Sequence, residues 1–275
     1  MPDPSSQESA RKAAQGVGRA LGATGRRIRK QVDKVNPDVW REFASVATLA
    51  PSLLCSRREK VVNKGRSGER PIVMVHGLGG NRGTWWPMRY ALMMHGRRRM
   101  YAFGYGPGAV VDHADSLVKF VERVLEVTGE PKVDLLGHSL GGIIARYALQ
   151  VGGLEGKVNS LITIASPHHG TYAAHFANTV ELLSLRPGSE ILSRINEHRV
   201  LDSCRRFVCI YSDRDIWVLP HNHMSHEEAE NIYLPGLSHS QFLIAPQVFK
   251  IVDRLLDDTA LEEYHAAGDS APSLS

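Results

Sequence analysis

Residues Gly137-His138-Ser139-Leu140-Gly141-Gly142 set a serine between glycines, directly after the apolar run Val133-Asp134-Leu135-Leu136. After them Ile143, Ile144, Tyr147 and Ala148 recur at helical spacing. A serine at the tip of such a strand-to-helix turn is a candidate nucleophile: its own backbone is strained, its hydroxyl is exposed, and the two arms pass so close that Gly137 and Gly141 are needed for room. The amides that open the following helix are directed toward the same point and can stabilise a developing oxyanion; Leu140 N–H is the first of them. The predicted chemistry is acyl transfer through Ser139.

An acyl oxyanion needs two donors. The second is sought in Pro71-Ile72-Val73-Met74-Val75, an apolar strand that opens into His76-Gly77-Leu78-Gly79-Gly80 about 60 residues before the serine. Glycines let that backbone approach a substrate, and Leu78 N–H is the predicted donor. A glycine loop after a strand can also hold phosphate, but this one lacks the Lys-Ser/Thr ending of a P-loop and the spacing of a dinucleotide fingerprint.

His76-Gly77-Leu78-Gly79-Gly80, Gly137-His138-Ser139-Leu140-Gly141-Gly142 and Ala165-Ser166-Pro167-His168-His169-Gly170-Thr171 resemble, in order and spacing, the α/β-hydrolase-fold lipases and carboxylesterases of bacteria, over about residues 70 to 256. The resemblance implies a serine hydrolase that cleaves carboxylic esters, lipid or other acyl esters, through a Ser-His-Asp triad and an acyl-enzyme. It also implies that the segment near Pro167 shapes the site without doing chemistry, so His168 and His169 receive no catalytic role. An acyl-thioesterase or acyltransferase would carry the same residues. A non-catalytic binding protein on the same fold would be expected to have lost one of them.

A serine needs a base to take its proton, and the base needs an acid to fix its tautomer. The implied fold orders them Ser, then acid, then His. His76 and His138 belong to the glycine loops, and His95 and His113 precede the serine. His239 lies in the loop Pro235-Gly236-Leu237-Ser238-His239-Ser240 after the short strand Asn231–Leu234, and its surroundings resemble the lipase pattern of glycine, catalytic histidine and then apolar residues, here Gln241-Phe242-Leu243. Two acids, Asp213 and Asp215, follow the strand Val208–Tyr211. Asp213 beside the strand end can shape the turn or pair with Arg214; the resemblance, an Asp followed by an apolar residue and a proline, favours Asp215. The cycle calls for no cofactor and no metal. His221, His223 and His226 with Glu227 form the one cluster with a metal-like look, but their spacing is loose and solvated or hydrogen-bonded histidines are the default.

The elements that must position these groups are read from periodicity. Short β-rich runs alternate with helical stretches from Pro71 onward, which predicts an α/β fold with a mostly parallel central sheet and helices on both faces. Strands are expected at Ile72–His76, Met100–Gly104, Val133–Leu136, Ser160–Ile164, Phe207–Tyr211 and Asn231–Leu234. The clearest helices are Ser116–Val127, Gly141–Gln150 and Gln247–Leu256. An insertion at about 171–205, with Phe176, Val180, Leu182, Leu183 and Leu185, resembles a small helical lipase cap, as does Leu185–Leu192; an ordinary helical pair packed on the sheet would read alike. Trp85 and Trp86 either line a pocket or, as aromatic pairs more often do, belong to the core. The organisation is a basic arm (1–35), an N-terminal helical extension (36–65), a catalytic domain (66–262) and a polar tail (263–275). In the extension Asn36-Pro37-Asp38 starts a helix whose apolar face, Trp40, Phe43 and Ala47, is expected to pack on the main domain.

With 43% hydrophobic and 23% charged residues the 275-residue chain reads as globular and soluble. The apolar run Ala44–Leu54, with Thr48 and a break at Pro51, falls short of the roughly 20 residues of a membrane helix. Met1–Ala10 lacks a signal peptide's basic start, and Leu54 before Cys55 does not fit a lipoprotein site, so a cytoplasmic location is expected. Cys55, Cys204 and Cys209 fit reduced thiols. Residues 1–35 hold eight Lys or Arg against three acids. That arm can attract an anionic membrane, though solvated basic tails are common. The expected partner is an acyl-ester substrate, and no nucleic acid.

Overall fold

A computed structural model describes residues 37–54, 59–63 and 65–257. The basic arm, the polar tail, Asn36 and Cys55 lie outside the described residues. Residues 1–41 and 42–275 form two separate units by their internal contacts.

The second unit is built on six parallel strands in the order β2-β1-β3-β4-β5-β6: β1 Ile72–Val75, β2 Met100–Phe103, β3 Val133–His138, β4 Val158–Ile164, β5 Arg206–Tyr211 and β6 Glu230–Tyr233. All six coincide with the runs expected from sequence to within two residues at either end. Helix α1 is Pro37–Leu54; α2, Trp86–Met94, follows β1 and α3, Val110–Thr128, follows β2. After β3 comes α4, Leu140–Gln150; short helices α5, Val180–Ser184, and α6, Glu190–Asn196, lie between β4 and β5; α7, Pro246–Leu255, closes the fold.

Strand alternation sorts the core into two layers. Val73, Val75, Tyr101, Leu135, Leu161 and Phe207 point to one face, where α3 and α4 bury Leu117, Val121, Ile144 and Ala148. Ile72, Met74, Leu136, Ile162 and Val208 point to the other, against Met88 and Leu92 of α2 and Val248 and Val252 of α7. With every strand parallel and helices on both faces, the strands need nearly continuous apolar sequence, which is why the runs are legible.

Helix α1 departs from expectation. Its exposed residues include Trp40, Phe43, Val46 and Ala47, whereas Glu42, Ser45 and Leu49 are buried. Phe43 and Ala47 of the apolar face read from sequence are therefore exposed, while Glu42 is buried because its carboxylate finds donors on Ser240. The helix also runs through Pro51 to Leu54 rather than breaking; Pro51 and Ala47, whose carbonyl the proline deprives of a donor, are both exposed to water. Trp85 is a core residue, and Trp86 is exposed and stacked on Tyr90 with ring centroids 5.7 Å apart.

Between β4 and β5, α6 is tied to α4 by a polar cluster. Arg146, fully buried, donates to Gln150 Oε1 (3.1 Å), to Asn196 Oδ1 (2.9 Å) and to His168 Nδ1 (3.4 Å). Gln150 in turn donates to the Ile195 carbonyl at 2.8 Å. Burial pulls the Arg146 pKa down to about 10, which leaves a guanidinium charged at neutral pH and held by neutral acceptors. Leu192, Ile195 and Val200 join the main core beside it. Cys204 and Cys209 are free and buried. Among the described residues no helix is long and apolar enough to cross a membrane.

Leu135 sits in the middle of the central strand β3 with no exposed surface. Leu135→Ala should lower unfolding free energy by roughly 2–5 kcal/mol through lost transfer energy and a residual cavity, read as a lower urea midpoint at unchanged m-value.

Candidate active site

The groups singled out from sequence all lie just beyond the carboxyl ends of parallel strands, the end where open α/β sheets bind ligands. His76–Gly80 follows β1, Ser139 follows β3, Asp215 follows β5 and His239 follows β6.

Ser139 occupies the link between β3 and α4 with φ 54° and ψ −126°. That is a sparsely populated conformation for a residue with a side chain, held by its surroundings: Ser139 N–H donates to the Ile164 carbonyl (2.9 Å) and Ser139 O accepts from Gly142 N–H (3.0 Å). A Cβ on Gly137 would come within 2.5 Å of Gly142 Cα, and one on Gly141 would enter the carbonyls of Val75 and His76. The α4 helix thus starts in direct contact with the end of β1, so the serine turn and the glycine loop are packed as one body.

In that loop Gly80 N–H closes a turn onto the Gly77 carbonyl (3.1 Å), with Leu78 at its second position. Leu78 is on the cavity wall and half exposed; Leu140 is fully buried, with its amide at the first position of α4. Neither amide has a protein acceptor among the described residues. His76 braces the loop. Its ring stacks on Tyr105 at 4.2 Å, Nδ1–H donates to the Gly77 carbonyl (2.9 Å), and Nε2 accepts from Tyr105 N–H (3.3 Å). Burial depresses its pKa to about 4, so this histidine is neutral, as the two bonds require.

The Asp215 carboxylate is buried, yet every side of it is occupied. Oδ1 accepts from Trp217 N–H (2.7 Å) and Val218 N–H (2.9 Å), and Oδ2 meets His239 Nδ1 at 2.6 Å. Burial would raise its pKa, but the His239 charge, the bond to it and the two amides outweigh that and hold the carboxyl below its ordinary range. For His239 burial pulls the pKa down, while the charge and hydrogen bond of Asp215 pull it up and win. Asp213 is elsewhere: its Oδ1 accepts from Gly236 N–H (2.9 Å) at the start of the His239 loop. Leu237 N–H goes to Ser212 Oγ (3.0 Å) and Ser238 N–H to Gln241 Oε1 (2.8 Å), so side chains stake out that loop amide by amide.

Ser139 and His239 both open onto a cavity of about 510 Å³. Its walls are mostly apolar, with Val46 and Leu49 of α1, Phe176, Leu182 and Leu185 of the segment between β4 and β5, and Leu243. Phe176 is largely exposed at 88% of its surface, so one wall reaches solvent. The segment 171–185 is closed at its base by Thr171 N–H to the Leu185 carbonyl (2.8 Å). Trp217 also lines the cavity, whereas Trp85 and Trp86 do not.

Three contributors escaped the sequence reading. His138, expected only as a loop residue, donates from Nε2 to the His239 carbonyl (3.1 Å), and burial drives its pKa down to about 3, keeping it neutral. Trp217 carried no signal beyond its aromatic type, and the role of Tyr105 rests on the fold. The histidines near Glu227 serve backbone: His221 Nε2 meets Asp215 O (2.9 Å), His223 Nδ1 meets Gly170 O (2.8 Å), and His226 Nδ1 accepts from Glu228 N–H (3.2 Å). Among the described residues no three His, Cys, Asp or Glu side chains assemble as a metal-ligand set. His168 is buried with Nε2 2.9 Å from Thr163 Oγ1, away from the cavity wall.

Comparison with known proteins agrees with the architecture. Residues 70–180 match the family model of the α/β hydrolase fold. A triacylglycerol lipase of Pseudarthrobacter phenanthrenivorans is 34% identical over 122 residues, covering 40% of this chain and 37% of that one. A human (lyso)-N-acylphosphatidylethanolamine lipase is 35% identical over 94 residues, covering 30% and 27%. The chain thus spans little more than a third of the length of the curated bacterial relative. The solved structure of mature Bacillus licheniformis lipase BlEst2 superimposes with a TM-score of 0.63 at 18% identity, covering 71% of this chain and 95% of that one. The chain has the α/β-hydrolase fold, with a central parallel sheet and helices on both faces.

Gly141→Ala should cost roughly 1–3 kcal/mol, because the added methyl meets backbone carbonyls that cannot step aside. The loss would be read as a drop in thermal midpoint, larger than that of Gly153→Ala only if contact rather than helix propensity or positive φ decides, since a Cβ at Gly153 meets nothing within 4 Å.

Proposed function

We propose that this protein hydrolyses carboxylic esters of acyl chains by covalent catalysis, with Ser139 as nucleophile, His239 as base and Asp215 as the acid that orients it. The observation that carries the reading is the 2.6 Å pair between buried Asp215 and His239, whose imidazole shares an apolar cavity with a serine on a strained turn. The named activity of the similar lipases is consistent with it.

Ser139 Oγ attacks the carbonyl carbon as His239 Nε2 takes the hydroxyl proton, and the imidazolium that forms keeps its Nδ1–H on Asp215. The new oxyanion is stabilised by Leu78 and Leu140 N–H, the two amides left without protein acceptors. Collapse breaks the ester C–O bond while His239 returns the proton to the departing alcohol. Water then repeats the path: His239 deprotonates it, it adds to the acyl-enzyme carbonyl, and Ser139 leaves with the proton, releasing the carboxylic acid. An apolar cavity of this size suits the acyl chain, whose burial supplies binding energy.

A fluorophosphonate probe should label the protein at Ser139, and Ser139→Ala should lose both labelling and turnover while unfolding at the wild-type temperature. Retained ester hydrolysis by that variant would falsify the scheme. p-Nitrophenyl esters and acyl-thioesters of matched chain length, run side by side, separate an esterase from a thioesterase; faster oxygen-ester turnover is expected.

The base works only when neutral. Because Asp215 holds the His239 pKa above the ordinary imidazole value of about 6.5, kcat/KM should fall tenfold per pH unit below a midpoint that lies above that value. Replacing Asp215 with Asn should move the acidic limb to lower pH as well as reduce kcat; an unmoved limb would mean that another group titrates.

A further inference from the structure

The cavity side of α1 carries a carboxylate that the hydrolytic cycle above does not use. Glu42 is 95% buried, with a relative exposure of 5%, and both of its oxygens are engaged by one residue: Oε2 accepts from Ser240 N–H (2.9 Å) and Oε1 from Ser240 Oγ–H (2.6 Å). Ser240 follows His239, and the N–H it donates belongs to the same peptide unit as the His239 carbonyl. That carbonyl accepts from His138 Nε2–H at 3.1 Å. The peptide plane beyond the imidazole is therefore fixed at both edges, by a neutral histidine next to Ser139 on one side and a carboxylate from 198 residues earlier on the other.

A buried carboxylate is costly unless it is fully bonded, so a helix that merely covered a cavity would place an apolar residue there. We propose that Glu42 is a positioning residue of the active site, clamping the 239–240 peptide so that the His239 ring stays seated on Asp215 and open to Ser139. The inference rests on the reading of His239 as the base. Without the clamp the loop backbone that carries His239 is held less firmly and its ring can shift, and a misplacement near 1 Å at a reacting group costs about a hundredfold in rate.

The charge has a second effect. The titratable groups facing the His239 ring are Asp215, His138 and Glu42. Burial lowers the His239 pKa, Asp215 raises it, and Glu42 adds to the raising. Neutralising Glu42 thus lowers the base's pKa, an effect that loss of a purely architectural contact would not produce.

The test uses the full chain and short p-nitrophenyl esters, which do not depend on the far end of the cavity. Glu42→Ala should reduce kcat by about 10- to 100-fold with a smaller change in KM. Glu42→Gln, which keeps one carbonyl acceptor and the side-chain shape, should recover part of that kcat while its acidic limb in kcat/KM moves to lower pH. Ser240→Ala, which retains the amide donor, should lose less than Glu42→Ala, and the double variant should be no slower than Glu42→Ala, since the two side chains act through one contact. Wild-type kcat and an unmoved limb in folded Glu42→Gln overturn the proposal, even if its melting temperature falls. So does a double variant whose losses multiply. Should Glu42→Ala not fold, Glu42→Gln and Ser240→Ala decide alone. Fluorophosphonate labelling of the wild type separates the two readings: a labelled, active wild type with equally active Glu42 variants rejects this inference only, whereas a wild type that neither labels nor turns over rejects both.

Discussion

The carboxylate of Asp215 is the group on which the site depends. An ionised acid with 1% of its surface exposed is tolerable only if its lone pairs are spoken for, and three donors from two segments do this: the amides of Trp217 and Val218, and the imidazole of His239. Two of these are backbone, so the turn after β5 must adopt one conformation for the charge to be buried at all. The third brings in the loop after β6. The acid therefore organises the geometry that it also serves electrostatically, and the raised pKa of His239 follows from the same contact.

Around this pair the sheet supplies position and histidines supply stiffness. The parallel order places the ends of β1, β3, β5 and β6 along one edge, and three imidazoles then join neighbouring segments there. His76 links the first glycine loop to Tyr105, His138 links the serine turn to the His239 carbonyl, and His168 links Arg146 to Thr163. Burial keeps His76 and His138 neutral, with pKa values near 4 and 3, and holds His168 far below the ordinary range. Each can donate from one nitrogen and accept at the other without the cost of a buried charge. Histidine suits this role because it is a rigid two-ended connector once deprotonated.

What the sequence made legible follows from what parallel sheets demand. Strands buried on both faces must be apolar throughout, so all six announced themselves, and the serine between glycines after one of them marked the tight strand-to-helix turn at Ser139. The choice between Asp213 and Asp215 was not decidable from residue type. Both stand in one turn, and only the fold directs the first to Gly236 N–H and the second to His239. Helix α1 shows a different limit. An apolar stripe is the usual guide to a buried face, yet Trp40 and Phe43 are exposed and Glu42 is inside, because the donors that make its burial tolerable are on Ser240. No local pattern encodes a partner so distant. The same holds for His138, whose acceptor lies 101 residues away.

The stretch from Thr171 to Leu185 begins and ends at a single hydrogen bond between its own termini, and it contributes the exposed Phe176 and buried Leu185 to the cavity wall while Ser139, His239 and Asp215 all lie outside it. A chain segment with adjoining ends can change length or composition at little entropic expense, and here such changes would leave those three side chains where they are. The cavity's shape can therefore vary independently of the Asp215–His239 pair, and grafting replacement segments between those two anchor points would be a natural starting place for redesign.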